Sequence, residues 1–293
     1  FVGIDSPDFN LHLEEKLRKK GIPTIHYVSP TVWAWRSYRV KRIRRAVDHM
    51  LVLFPFEEEY LRVRDVSATF VGHPAADELP EGSVNQIRLT LRLPLKSEIV
   101  ALLPGSRADE VSRLGAAFLH AAKLLQRERP GIEFVVPYAG GEVKDIFRQQ
   151  IKESGAKLIL HEVNGHSREA IAASNVVLVA SGTAALEAAL LRKPMVVAYK
   201  VSRLSYRLAR LLAHTEYVSM PNNLASQLLV PELIQEQATG ENMCQEILEL
   251  LTTKTANQQM IKGLENIYKQ LKNNANQVAA DHILRLHRSW NRL

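Results

Sequence analysis

Three short stretches of the sequence carry residue types that could bind an anion or move a proton. Gly-Ser-Arg at 105–107 follows an apolar run, where glycine lets the backbone approach a ligand and arginine can hold phosphate oxygens through two hydrogen bonds. Ser-Gly-Thr at 181–183 also follows an apolar run and precedes a helical pattern, whose first N–H groups can hold a phosphate. Asp5 follows a third apolar stretch and could remove a proton from a hydroxyl.

Each stretch also has a plainer interpretation. Residues 105–107 could form an ordinary turn with an exposed arginine. The serine and threonine at 181–183 could only cap a helix, with Glu187 a solvated residue of that helix; otherwise Glu187 can accept hydrogen bonds from ribose hydroxyls. Asp8 precedes a helical pattern and suits an N-cap, which leaves Asp5 as the better candidate for a base.

Alternation of strand and helix patterns predicts the elements that position these residues. Four strands are predicted near 1–4, 24–28, 49–56 and 68–74, and a second series near 98–103, 132–136, 156–160, 175–179 and 194–199. Strands that alternate with helices favour parallel sheets, in which ligands bind beyond the carboxyl ends of the strands. The three stretches therefore lie where a binding site is expected.

The two series predict two doubly wound α/β domains. We expect a first domain at 1–80, a polar connection at 81–97, a second domain at 98–225, and C-terminal helices at 226–293 that can pack back on the first domain. The chain begins with Phe1 inside a strand pattern, so we expect the first domain to lack its opening strands.

Composition and charge exclude several classes of protein. The net charge of +7 favours an anionic partner, but no recognisable nucleic-acid-binding module accompanies it, and we expect no nucleic-acid partner. The single cysteine excludes an intrachain disulfide, and no cluster of histidine and cysteine has the spacing of a zinc site. We expect no metal and no cofactor. The sequence has no uninterrupted apolar stretch of about 20 residues, which is the length that a membrane-spanning helix needs.

Two basic segments could meet an anionic membrane surface. Six cations fall within 36–45, and a second segment alternates arginine with leucine: Arg203, Arg207, Arg210, Leu204, Leu208, Leu211 and Leu212. Basic charge beside leucine on one helix suits anionic lipid. The alternative is a helix that packs its leucines inward and leaves its arginines in solvent.

Seven motifs, in order along the chain, resemble the lipid-A-disaccharide synthase family. They are VGIDSPDFN at 2–10, IHYVSPTVWAWR at 25–36, LFPFE at 53–57, VGHP at 71–74, LLPGSR at 102–107, ASGTAALE at 180–187 and MPNNL at 220–224. The resemblance covers essentially the whole chain. It implies the GT-B architecture, with two Rossmann-like domains that face a cleft.

The resemblance also implies an activity. A 2,3-diacylglucosamine unit would pass from its UDP donor to the 6-hydroxyl of 2,3-diacylglucosamine 1-phosphate, with inversion and without a metal, giving a β-1,6 disaccharide and UDP. Asp5 matches the candidate catalytic aspartate of the family, and the implied UDP-sugar contacts are Ser106, Arg107, Gly182, Thr183, Glu187 and Asn222. The implied location is the cytoplasmic side of the inner membrane of a Gram-negative bacterium. Whether the protein forms a homo-oligomer is left open.

The sequence departs from the family at its start. The first strand of the family and its glycine-rich GExSGD loop are absent, so we expect a fragment of a longer protein or a truncated product, whose own activity is in question. Two alternatives stay open: another UDP-sugar enzyme of GT-B type, such as a glycolipid glycosyltransferase or a relative of UDP-N-acetylglucosamine 2-epimerase, and a non-catalytic fragment that binds nucleotide or lipid.

Overall fold

The computed structural model describes residues 1–35, 37–212 and 215–290. These residues divide into two compact units. The first unit comprises the described residues of Phe1–Glu78, Arg207–Glu216 and Lys269–Leu293, and the second comprises Leu79–Tyr206 and Tyr217–Tyr268. The domain limits given above stay a prediction.

The first 78 residues alternate strands and helices. The strands are β1 (Val2–Ile4), β2 (Ile25–Tyr27), β3 (His49–Val52) and β4 (Ala68–Phe70). The helices are α1 (Pro7–Arg18), α2 (Val40–Ala46), which follows a 3₁₀ turn at Ser37–Arg39, α3 (Pro55–Arg62) and α4 (Pro74–Asp77). The four strands form one parallel sheet in the order β1-β2-β3-β4.

The chain from 79 to 271 carries a second series of strands and helices. Its strands are β5 (Ile99–Leu103), β6 (Glu133–Tyr138), β7 (Leu160–Asn164), β8 (Val176–Ala180), β9 (Met195–Tyr199) and β10 (Glu232–Ile234). Its helices are α5 (Val84–Thr90), α6 (Ala108–Glu128), α7 (Gly141–Ser154), α8 (Ser167–Ala173), α9 (Thr183–Leu190), α10 (Arg203–Leu212), α11 (Met220–Ala225), α12 (Gly240–Thr252) and α13 (Lys254–Leu271), with a 3₁₀ turn at Gln235–Gln237. Helices α10 and α13 each end in the first unit, and the other elements of this series lie in the second. A last helix, α14 (Ala275–Trp290), belongs to the first unit.

The sheet of the first unit is covered on both faces. Because side chains alternate along a strand, Met50 and Val52 of β3 pack into one apolar cluster with Leu11 of α1, while Leu51 joins another cluster with Ala279 of α14. A parallel strand buried on both faces requires such a continuous apolar sequence. The C-terminal helix α14 therefore completes the core of the first unit.

The sheet of the second unit is parallel, with the order β10-β9-β8-β5-β6-β7. From β5 the chain moves outward through β6 to β7, then returns to place β8 on the other side of β5. The sheet therefore changes its winding direction between β5 and β8. In open α/β sheets this is the point at which ligands bind, outside the carboxyl ends of the strands.

Prediction of the elements succeeded where burial is complete. Every residue of β5 and of β8 is buried, and the two strands were predicted within one residue of their ends. The strand predicted at 156–160 is instead β7, which is a half-exposed edge strand with a weaker apolar pattern. Met220–Ala225 form the short helix α11, and the three-residue strand β10 is not among the predicted strands.

Among the described helices, none is both long enough and apolar enough to cross a bilayer.

Arg88 of α5 ties three segments of the second unit together and yields a stability prediction. Its side chain is 5% exposed and donates to backbone carbonyls, among them those of Ala173 and Ser97, at 2.9 and 3.0 Å. Replacing Arg88 by Met leaves buried acceptors without donors, and each such acceptor costs about 1–3 kcal/mol. We expect the urea-unfolding free energy to fall by about 3 kcal/mol in R88M, against at most about 0.5 kcal/mol in the exposed control R127M. Equal losses in the two variants would contradict the assignment.

Glu57 of α3 gives the first unit a pH-dependent stability. The carboxylate is 2% exposed, and burial raises the pKa of Glu57 to about 8 although Phe54 N–H and the Trp33 indole both donate to it. Since the unfolded chain ionises near the ordinary glutamate pKa of about 4.3, the unfolded state binds fewer protons between that pH and 8.

The stabilisation associated with neutral Glu57 is therefore complete below about pH 4.3 and is lost as the pH rises through about 8, with a slope of at most about 1.4 kcal/mol per pH unit. E57Q stays neutral throughout, so we expect the difference in unfolding free energy between wild type and E57Q to move in favour of the variant from pH 5 to pH 8. Denaturation series at both pH values measure this difference. A difference that does not change with pH would refute the assignment.

Candidate functional site

The loop after β5 has a shape that requires its glycine. Gly105 has φ of +141°, and a Cβ at this position would lie only 2.5 Å from the Cβ of Glu110. The backbone N–H groups of Ser106 and Arg107 donate to Oε2 of Glu110, at 3.0 and 3.4 Å. The first turn of α6 thus fixes the loop through one carboxylate.

Arg107 extends from this loop into solvent. Its side chain is 81% exposed, and its Nη1 donates to Oε1 of Glu110 at 3.2 Å. An ion pair this exposed contributes little free energy, so an incoming anion can compete for the guanidinium. The geometry leaves Arg107 available to a phosphate.

The start of α9 offers backbone donors beside that loop. Ser181 N–H donates to Ala198 O at 3.0 Å, and Gly182 has φ of +145°, which a side chain would disfavour. In the part of the chain that the structure describes, no side chain caps this helix. Ala185 N–H donates to Gly182 O at 3.2 Å, whereas the N–H groups of Thr183 and Ala184 have no backbone acceptor among the described residues and lie at the positive end of the helix dipole.

Glu187 lies in the second turn of α9 and is held by α8. Arg168 Nε donates to its Oε1 at 2.9 Å, and Ser167 Oγ donates to its Oε2 at 3.4 Å. These contacts orient the carboxylate, whose remaining lone pairs can accept hydrogen bonds from hydroxyls. The interpretation of Glu187 as a solvated helix residue does not account for this arrangement.

Five of the predicted binding residues line one cavity of about 290 Å³ in the second unit. The cavity lies at the carboxyl ends of β5 and β8, where the sheet changes its winding direction. It has a cationic side chain, free helix N–H groups and a carboxylate, which suit the phosphates and the ribose of a nucleotide. The five residues are Ser106, Arg107, Gly182, Thr183 and Glu187.

The wall opposite these residues was not predicted. Tyr138, at the end of β6, lines the cavity, and its hydroxyl donates to Glu162 at 2.7 Å. Burial and the neighbouring Glu162 carboxylate raise the pKa of the Tyr138 phenol, so it stays a donor at neutral pH. Gly165, in the loop before α8, and Ser167, the first residue of α8, also line this wall. The signal available in the sequence was the position of Tyr138 at the end of one strand and of Gly165 directly after the next.

Asp5 lies in the first unit, directly after β1. Its N–H donates to Tyr27 O at 2.8 Å, and the Asn10 amide donates to the backbone oxygen of Asp5 at 2.8 Å. Asp5 and Ser6 both have left-handed backbone conformations, with φ of +50° and +43°, and the Asp5 residue is exposed. The N-cap of α1 is Ser6, so the alternative role of Asp8 as N-cap is wrong; Asp8 instead pairs with Arg39.

Asn222 does not join the cavity. Its side chain is fully buried, and its amide donates to Val230 O and to Glu232 at 2.9 and 2.7 Å. Its Oδ1 accepts from the N–H groups of Leu229 and Val230, each at 2.9 Å. The amide thus joins α11 to the segment before β10, and the side chain has no free group for a ligand.

The two basic segments have different surroundings. Near α2, Arg39, Arg44 and Arg45 face Asp8, Asp65 and Glu15, while Arg36 lies outside the described residues. In α10, Leu204 and Leu211 are 79% and 82% exposed, so the interpretation that this helix packs its leucines inward is wrong for both. The side chains of Leu208 and Leu212 lie outside the described ones.

The fold has known relatives among enzymes that act on nucleotide sugars. A UDP-GlcNAc 2-epimerase from Neisseria meningitidis, solved with UDP-GlcNAc bound, has a TM-score of 0.68 at 12% identity and is aligned over 97% of this chain and 76% of its own. A glycosyltransferase from Rickettsia africae has a TM-score of 0.54 at 9% identity, over 94% and 79%. At such low identity these structures show the fold alone, which is the GT-B type.

Sequence similarity is far more specific. The family model described as lipid-A-disaccharide synthetase matches residues 1–284. The lipid-A-disaccharide synthase of Methylobacillus flagellatus is 42% identical over 286 residues, which are 97% of this chain and 76% of the relative. That of Pseudomonas fluorescens is 46% identical over 289 residues, 98% and 75%. The match spans nearly the whole chain and confirms the resemblance that the seven motifs predicted, so the chain belongs to the lipid-A-disaccharide synthase family, whose members are glycosyltransferases.

Proposed function

We propose that this glycosyltransferase joins UDP-2,3-diacylglucosamine to 2,3-diacylglucosamine 1-phosphate, giving the β-1,6-linked disaccharide 1-phosphate and UDP. The observation that carries the proposal is the cavity after β5 and β8, where a cation, uncapped helix N–H groups and an oriented carboxylate lie together. Membership of the family supports the choice of substrates. An epimerase is not favoured, because the likeness to epimerases stops at the fold.

In this proposal the second unit binds the nucleotide. The Arg107 guanidinium and the first N–H groups of α9 meet the diphosphate, and Glu187, oriented by Arg168, accepts from the ribose hydroxyls. Negative charge grows on the diphosphate as the bond to the anomeric carbon breaks. Donors already aimed at that position stabilise the transition state more than the ground state.

Asp5 has the role of base in the proposal. Its carboxylate accepts the proton of the acceptor 6-hydroxyl while that oxygen bonds to the anomeric carbon and the carbon–oxygen bond to UDP breaks. One displacement of this kind inverts the anomeric centre. The exposure of Asp5 at the carboxyl end of β1, where ligands bind in open sheets, supports this role.

A direct assay tests the reaction. The chain is mixed with both substrates in detergent micelles, and released UDP is measured. We expect release that depends on the acceptor, a fall in kcat/KM of about 100-fold or more in R107A, and a comparable fall in D5N because general-base catalysis contributes about 10²–10⁴-fold.

R127A is the matched control for that assay, since Arg127 is an exposed arginine of α6 that lines neither the loop nor the cavity. Release that does not need the acceptor, or equal rates in R107A and R127A, would contradict the proposal.

We further propose that α10 attaches the enzyme to the anionic cytoplasmic surface of the inner membrane, where acylated substrates reside. The exposed leucines and the exposed arginines of this one helix support the proposal.

Sedimentation with phosphatidylglycerol vesicles tests the attachment. The double variant L204S/L211S is expected to bind several-fold more weakly than wild type, and L89S, which changes an exposed leucine of α5, is expected to bind like wild type. Raising salt should release the wild type, since exposed charges are screened. Binding that survives both the double substitution and high salt would exclude α10 as the attachment surface.

A further inference from the structure

A second cavity, of about 500 Å³, adjoins the first within the second unit. The two cavities share part of their walls, namely Arg107, Glu110, Ala180, Ser181 and Gly182. These shared residues lie in, or directly beside, the two loops that the proposed function assigns to the diphosphate. A diphosphate bound there would therefore have one cavity on each side.

The first cavity has the groups that suit a nucleoside, because Glu187 and Tyr138 line it and neither lines the second. Whatever is attached to the other end of the diphosphate has to continue past the shared wall. We propose that the second cavity binds the acylated amino sugar of the donor. This inference rests on the proposed function.

The lining of the second cavity matches an amphiphilic ligand. Leu114, Val201 and Val218 are apolar residues of its lining. Ser202 and Ser205 line it as well, and Ser202 Oγ donates to Ser205 Oγ at 2.7 Å. A volume of 500 Å³ lies within the range of about 300–1,000 Å³ found for ligand sites. It accommodates a sugar ring and the first part of its acyl groups.

Two cationic side chains, Lys200 and Arg113, line the second cavity and do not line the first. Lys200 is exposed and makes no hydrogen bond or ion pair with any residue that the structure describes. Arg113 lies 3.9 Å from Asp109, an exposed and weak pair. Both cations can donate to hydroxyl and acyl carbonyl oxygens of the sugar, which UDP lacks.

The rim of the cavity leads to α10. Ser205 of this helix lines the cavity, and Leu204, the preceding residue, exposes its side chain to solvent. Acyl chains that leave the cavity over α10 would meet an apolar surface there. The same helix would thus serve both the membrane and the lipid part of the donor.

The test compares two ligands on the same variants. Calorimetry in detergent micelles gives the Kd of UDP and the Kd of UDP-2,3-diacylglucosamine for wild type, S205W, K200Q and the control S112W. S205W fills the cavity from its rim, K200Q removes a charge from its wall, and Ser112 is an exposed serine of α6 that lines neither cavity.

We expect S205W and K200Q to weaken the donor by about tenfold or more, to change the Kd of UDP by about twofold at most, and S112W to change neither. The inference is overturned if neither S205W nor K200Q weakens the donor selectively. Failure of wild type to bind UDP at all would instead overturn the proposed function, so the two failures are distinguishable.

Discussion

The hydrogen bonds from Ser106 and Arg107 N–H to the Glu110 carboxylate are the contact on which the proposed site depends. They hold the loop after β5 against the start of α6, and they require the glycine at 105, because any larger residue would collide with Glu110. With the loop fixed, the backbone position of Arg107 is fixed too. The side chain itself stays exposed, so the anion site is built in advance while its cation stays accessible.

The topology of the second sheet explains why this loop has a partner. Since β8 returns to the other side of β5, the loop after β8 emerges next to the loop after β5. The uncapped N-terminus of α9 then supplies backbone donors where the guanidinium supplies charge. The two cavities that share this pair of loops agree with the proposal that a nucleotide sugar binds here.

The first unit contributes a different kind of constraint. Asp5 and Ser6 have left-handed backbone conformations in succession, which residues with a side chain adopt uncommonly. Hydrogen bonds from Asp5 N–H to Tyr27 O and from Asn10 to the Asp5 carbonyl hold this turn. Strained residues that are held by their neighbours cluster at functional sites, which agrees with the role proposed for Asp5.

Residue types at strand ends made most of the site predictable from the sequence. Gly, Ser and Arg follow β5, and Ser, Gly and Thr follow β8, and both sets suit the binding of an anion. The buried strands themselves were predictable from their continuous apolar sequence. The edge strands β7 and β10 lack that signal because they are short or half-exposed.

The features that the sequence did not predict are contacts between elements that are distant along the chain. Tyr138 resembles a core aromatic in the sequence, and the pairing of Arg168 with Glu187 joins two helices. Asn222 was expected near the donor only because the family resemblance implied it. Its actual partners, Val230 and Glu232, are set by the position of β10, which the sequence did not reveal.

The crystal structure of a complex with UDP tests the central claim most directly. The account predicts diphosphate density between the Arg107 guanidinium and the first N–H groups of α9, with the ribose hydroxyls on Glu187 and the base toward Tyr138. Density for the diphosphate away from the loops after β5 and β8, or a ribose that does not contact Glu187, would contradict it.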